Sequence, residues 1–308
     1  MMFAEIITTL FDVIVPLSLP VIAGVLLSRF GKLEIKPLLN FVLYYITPFL
    51  IFDTLMEARL SREDVYLTVA YSLLNLILLA AAANLLGKLF KLPANDIAGL
   101  TLISSFTNSV NYGIPLTLLA FGQLGLEKAA IYIVMQMVMM HTLGIFFAAR
   151  SHFTIKGAMK SVFALPAIYA VLLAIVLRTF DLALPGGLST GVSMIADSYP
   201  PIVLAILGAQ MANVKTESIT RNTRITFWTG MSMRLLIAPL IAILCLNLLD
   251  IEGIMFSTLL VLSCMPVAIN AGILAEKFDA SPKVLTKTIL WTTLLSFVVL
   301  PVLIVLVK

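Results

Sequence analysis

Residues Ser104-Ser-Phe-Thr-Asn-Ser-Val-Asn-Tyr-Gly-Ile-Pro-Leu116 interrupt an apolar run with polar and helix-breaking side chains. The amides are Asn108 and Asn111, and they are followed by Gly113 and Pro115. Proline cannot donate a backbone hydrogen bond, and glycine permits backbone conformations that other residues avoid. The stretch therefore predicts a helix that is broken partway along an apolar span.

A second stretch, Leu262-Ser-Cys-Met-Pro-Val-Ala-Ile-Asn-Ala-Gly272, has the same character through Pro266 and Asn270. The two breaks could be simple proline kinks whose amides bond to neighbouring helices. Their corresponding positions favour a different interpretation, in which each break starts a half-helix inside the membrane. The N-terminus of a half-helix carries partial positive charge and free N–H groups, so two of them facing one cavity would attract an anion, most simply a carboxylate.

Composition places the chain in a membrane. Of its 308 residues, 61% are hydrophobic and only 12% are charged, and the mean hydropathy is +1.08. A soluble protein carries about twice that share of charge, so this chain lacks the polar surface to face water. The net charge of +4 then concerns orientation in the bilayer and not nucleic acid. Both cysteines lie in apolar runs, which argues against a disulfide framework or a cysteine-based metal site.

A helix needs about 20 apolar residues to cross the bilayer core. The sequence predicts ten such helices in a multi-pass protein of the cell membrane, and its N-terminus enters the first of them without a signal peptide. The predicted spans are Ile6–Ser28, Pro37–Met56, Val65–Leu86, Ile97–Phe121, Ala129–Ala149, Ser161–Phe180, Leu188–Met211, Ile225–Leu249, Ile254–Ala275 and Val284–Val307.

Lysine and arginine are distributed unequally between the two sides. The odd-numbered links between spans carry fourteen of the 20, the even-numbered links and the tails carry five, and Arg234 lies within span eight. Cytoplasmic links are enriched in Lys and Arg, so we expect both termini outside the cytoplasm.

An internal repeat is visible between spans one and six. Pro20-Val-Ile-Ala-Gly-Val-Leu-Leu27 and Pro166-Ala-Ile-Tyr-Ala-Val-Leu-Leu173 are identical at five of eight positions. The chain then divides into five-span halves at 1–150 and 158–308. Because five is odd, the second half inserts inverted relative to the first, as in many secondary transporters.

Several polar residues lie at membrane depth. Arg234 could be a counter-charge for an anion or a coupling carboxylate, or a partner for a helix C-terminus. Asp53 and Asp197 could take part in proton coupling or simply end their helices in water. Gln136 and His141 in span five could support the site or serve only in packing.

The same segments resemble the auxin efflux carrier family, of the superfamily that includes the bile acid:sodium symporters. The resemblance is carried by Asn108-Ser-Val-Asn-Tyr-Gly-Ile-Pro-Leu116 with Phe121-Gly122, and by Met265-Pro266 with the segment Ala275 to Thr286. Arg234-Leu-Leu-Ile-Ala-Pro239 and Leu207-Gly-Ala-Gln210 add to it. The chain resembles a bacterial-type member, because only Arg150–Lys160 separates spans five and six.

The resemblance implies ten helices in two inverted repeats, with broken helices four and nine that cross each other. Spans one, two, six and seven would form a scaffold and a homodimer interface. Spans three to five and eight to ten would form a transport domain that moves like an elevator. The implied substrates are small organic anions such as malonate, malate or lactate. Asn108, Asn111 and Asn270 would bind substrate or hold the crossing open, and Gly113, Pro115 and Pro266 would shape it.

Three other functions compete with a carrier that needs no cofactor. A close variant is a sodium-coupled organic anion symporter, so coupling to protons or Na⁺ stays open. An anion channel can also be lined by broken helices. An intramembrane enzyme is disfavoured, because His-Glu-x-x-His and Gly-x-Ser-x-Gly motifs are absent from the sequence.

Overall fold

A computed structural model describes residues 7, 8, 10–31, 34–58, 61–149, 154–213 and 221–307. Within these ranges the regular structure is helical, apart from one antiparallel bridge between Thr107 and Val267. The all-α class is therefore confirmed for the described part of the chain. The predicted start of span one at Ile6 lies outside these ranges, as do five of the basic residues used to orient the chain: Lys32, Arg59, Arg150, Lys215 and Lys308.

We number the helices in chain order: α1 (Phe11–Gly31), α2 (Ile35–Glu57), α3 (Arg62–Leu89), α4 (Ala94–Ser105), α5 (Ser109–Ala149), α6 (Ile155–Phe163), α7 (Pro166–Thr179), α8 (Gly186–Ala212), α9 (221–248), α10 (Gly253–Ser263), α11 (Ile269–Phe278) and α12 (Pro282–Val307). Seven of them are long and apolar enough to cross a membrane, namely α1, α2, α3, α5, α8, α9 and α12. The pair α6 and α7, bent by 67°, makes an eighth if it is one span.

The predicted spans four and nine are absent from that set because both are interrupted. The chain breaks after α4 and resumes as α5, and it breaks after α10 and resumes as α11. At 1.5 Å per residue, the 12 residues of α4 extend about 18 Å, well short of the roughly 30 Å apolar core. Each break therefore falls within the depth of a membrane. The count of ten spans stays a prediction.

The two halves repeat the same order of elements. In the first half the long helix α3 is followed by the short helix α4, a break, and α5. In the second half the long helix α9 is followed by the short helix α10, a break, and α11. This order supports the predicted internal repeat.

The sequence predicts a non-helical link between span four, which ends at Phe121, and span five, which begins at Ala129. This prediction is wrong. Residues 123–128 are helical and belong to α5. Only Gly122 leaves the helical conformation, with φ of 65°, a value that favours glycine. One glycine bends the chain without a loop. The following turn is tied to the start of α3 by a salt bridge of 2.8 Å between Lys128 and Asp64.

The helices pack in two groups. Helix α1 lies along α8, and α2 packs against α7 and α8. Arg178 at the end of α7 donates to the backbone carbonyls of Leu55 and Ala58 at the end of α2. The other group contains α3, α4 and α5 together with α9 to α12. In that group the buried carboxylate of Asp96 in α4 accepts hydrogen bonds from the hydroxyls of Thr226 and Ser281.

Two glycines allow α1 and α8 to approach closely. A Cβ added at Gly24 would lie 1.8 Å from the carbonyl oxygen of Ala205. A Cβ added at Gly208 would lie 1.9 Å from the carbonyl oxygen of Val21. Both neighbours are backbone atoms, which cannot rotate away. The two helices therefore touch along their backbones, as small residues allow in membrane proteins.

We expect Gly208→Ala to lower the free energy of unfolding by about 1–3 kcal/mol, because the added methyl forces the helices apart. The matched control is Gly191→Ala in the same helix, where an added Cβ meets nothing within 4 Å. The midpoint of thermal unfolding in detergent should be lower than that of the wild type for Gly208→Ala and unchanged for Gly191→Ala. Equal midpoints for the two variants would contradict the close packing.

Candidate functional site at the crossing of the broken helices

The two breaks lie against each other and exchange backbone hydrogen bonds. The N–H of Asn108 donates to the carbonyl of Pro266 at 2.8 Å, and the N–H of Ala268 donates to the carbonyl of Phe106 at 3.0 Å. An unpaired backbone group is costly where no water can reach it. Each break thus supplies partners that the other lacks.

The prolines act differently in the two halves. Pro266 lies inside the second break, between α10 and α11. In the first half a wide π-turn at Ser109–Gly113 precedes the regular α-helix that begins at Ile114, and Pro115 lies in the first turn of that α-helix, where proline is favoured. Pro115 follows this turn and has no N–H to close a regular helical bond to Asn111. It therefore shapes the beginning of α5 and is not part of the break itself.

Gly113 brings the beginning of α5 close to α10. A Cβ at Gly113 would lie 2.6 Å from Cδ2 of Leu262, so the Leu262 side chain would have to shift to accommodate a larger residue. Gly113, Pro115 and Pro266 are all buried. None of the three lines the cavity beside the crossing.

A cavity of about 270 Å³ opens beside the crossing. It brings together the predicted residues Asn108, Asn111, Gln136, His141 and Asn270. Asn111 lies in the first turn of α5 and Asn270 in the first turn of α11, so both half-helices begin at the cavity wall. We call it the crossing cavity. The opposite wall is formed by the N-terminal part of α2: Lys36, Leu39, Asn40, Val42, Leu43 and Thr47.

The crossing cavity is lined by amides, a histidine and a lysine. Nδ2 of Asn108 is buried and has no hydrogen-bond partner among the described residues. Nδ1 of His141 donates to the carbonyl of Met137 at 2.9 Å, so Nε2 of the neutral ring is a hydrogen-bond acceptor. Lys36 adds a cation, and no Asp or Glu is found among the described lining residues. Such a lining suits an anion better than a cation.

A larger cavity of about 520 Å³ adjoins the crossing cavity at Ile269 and Ile273. It lies between α8 and the helices α11 and α12, and its polar edge includes Glu276 and Lys287. The unwound backbone at 106–108 does not line it. We therefore assign the site to the crossing cavity.

Three predicted polar residues do not line the crossing cavity. Arg234 is 1% exposed, and its Nη1 donates to the carbonyl of Ser104 in the last turn of α4 at 2.9 Å. Asp53 accepts a hydrogen bond of 2.8 Å from the hydroxyl of Ser193. Asp197, at the kink of α8, is near Asp53. These two carboxylates do not contact the crossing.

A network of buried hydroxyls behind the crossing was missed by sequence reasoning. The hydroxyl of Ser263 is 2.6 Å from the hydroxyl of Tyr71 and 3.3 Å from that of Tyr132. Nε2 of Gln136 donates to the hydroxyl of Tyr132 at 2.9 Å. The only signal in the sequence was a phenol inside an apolar run, because a buried Tyr hydroxyl needs a partner.

Comparison with known proteins agrees with this geometry. The family model described as membrane transport protein matches residues 6–160 and, a second time, residues 150–304. The chain belongs to this family. It is the family of the auxin efflux carriers, so the predicted resemblance is confirmed. The double match supports the internal repeat.

The relatives are archaeal. An uncharacterized transporter of Methanothermobacter thermautotrophicus is 28% identical over 304 residues, which cover 98% of each chain. An uncharacterized transporter of Methanocaldococcus jannaschii is 27% identical over 305 residues, covering 94% of this chain and 96% of the relative. This member of the membrane transport protein family is therefore a multi-pass membrane transporter and not an enzyme.

Thiol labelling tests the crossing cavity directly. In a background with Cys245 and Cys264 replaced by alanine, we expect Asn270→Cys to react with a charged methanethiosulfonate faster than Leu259→Cys. Asn270 lines the cavity, whereas Leu259 is fully buried in the core. Labelling rates measured on purified protein by mass spectrometry check this. Similar rates at the two positions would show that water does not reach Asn270.

Proposed function

We propose that this membrane transport protein is a secondary active transporter of a small organic anion, working by an elevator-type alternating-access motion. The observation that carries the proposal is the crossing itself. Two breaks from opposite halves bond to each other, and the first turns of α5 and α11 line one cavity.

The chemistry of the crossing cavity fits a carboxylate. A carboxylate accepts several hydrogen bonds and gains from charge-assisted donors. The amides of Asn108, Asn111 and Asn270, which line the cavity, would donate to it, and two helix N-termini would add partial positive charge. A volume of about 270 Å³ suits a substrate of a few to a dozen heavy atoms.

The packing supports a division into a static and a moving part. We assign α1, α2, α7 and α8 to the scaffold, which would also form a homodimer interface, and α3–α5 with α9–α12 to the transport domain. The crossing cavity has walls from both, with α2 on one side and the crossing on the other. Movement of the crossing past α2 would then expose the substrate to the other side of the cell membrane. Both termini would lie outside the cytoplasm.

Two experiments test the substrate class and the mechanism. Purified protein would be screened by thermal shift against malonate, malate, lactate and indole-3-acetate, since a ligand at 100 times its Kd stabilises by about 2.7 kcal/mol. Counterflow of the best ligand into proteoliposomes would then distinguish a carrier from an anion channel, because a channel shows none. Stabilisation by no carboxylate, or uptake without counterflow, would contradict the proposal.

Asn108→Ala should abolish transport and leave the fold intact. The side chain has a buried Nδ2 without a partner among the described residues, and such a group costs about 1–3 kcal/mol. Removing it should keep or raise the midpoint of thermal unfolding. Proteoliposome uptake checks the activity, with Asn247→Ala, an exposed asparagine at the end of α9, as the control. Normal uptake by a well-folded Asn108→Ala protein would remove Asn108 from the site.

A further inference from the structure

Arg234 is a buried cation whose charge is not balanced by the described part of the protein. It is 1% exposed in the π-turn Met233–Ile237 of α9. Its Nη1 bonds to the carbonyl of Ser104, but Nε and Nη2 have no hydrogen-bond partner among the described residues. No carboxylate within those residues forms a salt bridge with it. An uncompensated charge in such a place costs several kcal/mol.

Arg234 also lies close to the crossing cavity. Its neighbours include Tyr71, Tyr132 and Cys264. Tyr132 bonds to Gln136, which lines the crossing cavity. Ser104, to which Arg234 donates, is three residues before Thr107, another lining residue. The cation is thus one layer of side chains behind the cavity wall.

We propose that Arg234 is the fixed internal cation of the crossing, which a bound carboxylate neutralises and which takes the place of a co-bound sodium ion. The inference rests on the proposed function. Arg234 acts through its electrostatic field and does not touch the substrate. It therefore favours a charged ligand over a neutral ligand of the same shape. A unit charge about 10 Å away at an effective dielectric of about 20 changes an anion's affinity by about tenfold.

The helix ends at the crossing strengthen this effect. The C-terminus of α4 carries partial negative charge, and the bond from Arg234 to the Ser104 carbonyl offsets it. The positive N-termini of α5 and α11 then dominate the potential in the cavity. The same charge repels a sodium ion placed at the crossing, which disfavours the sodium-coupled alternative.

The first half carries a neutral residue at the corresponding position. Asn75 precedes the end of α3 at Leu89 with the same spacing as Arg234 precedes the end of α9 at Leu248. Asn75 is 4% exposed. It therefore provides a buried polar control from the other repeat, without a charge.

Comparing the binding of an acid with that of its amide separates the effect of charge from the effect of packing. Dissociation constants for malonate and malonamide would be measured on purified wild type, Arg234→Met, Arg234→Lys, Asn75→Leu and Asn108→Ala. We expect Arg234→Met to raise the Kd for malonate about tenfold and to leave the Kd for malonamide unchanged. Arg234→Lys should restore the Kd for malonate, and Asn75→Leu should bind both ligands as the wild type does. The thermal midpoint of each variant is recorded to show that it folds.

The outcomes separate this inference from the proposed site. Loss of malonate binding in Asn108→Ala but not in Arg234→Met would overturn the role of Arg234 and leave the crossing cavity in place. Equal binding by wild type and Asn108→Ala would instead contradict the cavity. The wild-type protein gives an independent test, in which replacing sodium with choline should leave the Kd for malonate unchanged. A Kd that falls several-fold in sodium would also overturn the inference.

Discussion

Two backbone hydrogen bonds hold the breaks of the two halves together. A helix interrupted at membrane depth exposes N–H and C=O groups that lipid cannot satisfy, at a cost of several kcal/mol each. The bonds Asn108 to Pro266 and Ala268 to Phe106 remove part of this cost. Each break is therefore stabilised by the other, and the two halves of the chain meet at this point.

The same constraint creates the site. Unwound backbone is tolerated inside a membrane only where it is buried in protein or lines a cavity. The unwound backbone here does both. On one side the two breaks are paired with each other, and on the other side they line the cavity that faces α2. Two helix N-termini, each with free donors, come to one wall without any dedicated loop. The anion-binding surface that we propose is thus built mainly from the backbone.

The charges near the crossing are arranged asymmetrically, although the fold is nearly symmetric. Arg234 in α9 is matched in α3 by the neutral Asn75. A binding cavity for one anion needs only one counter-charge, and a second buried cation would add cost without a partner. The carboxylates Asp53 and Asp197 are separate from this region. Asp53 accepts a hydrogen bond from Ser193, and Asp197 is near Asp53. A symmetric fold therefore carries an asymmetric site.

Local pattern was enough to predict the helical class, the two breaks, the internal repeat and the family, because apolar run length and proline position act locally along the chain. It also named the five polar residues Asn108, Asn111, Gln136, His141 and Asn270, which tertiary structure brings to one cavity. Only tertiary structure decided that the breaks bond to each other, that α2 closes the cavity, and that Arg234 lies behind its wall. These depend on contacts between residues far apart in the chain, which local pattern does not encode.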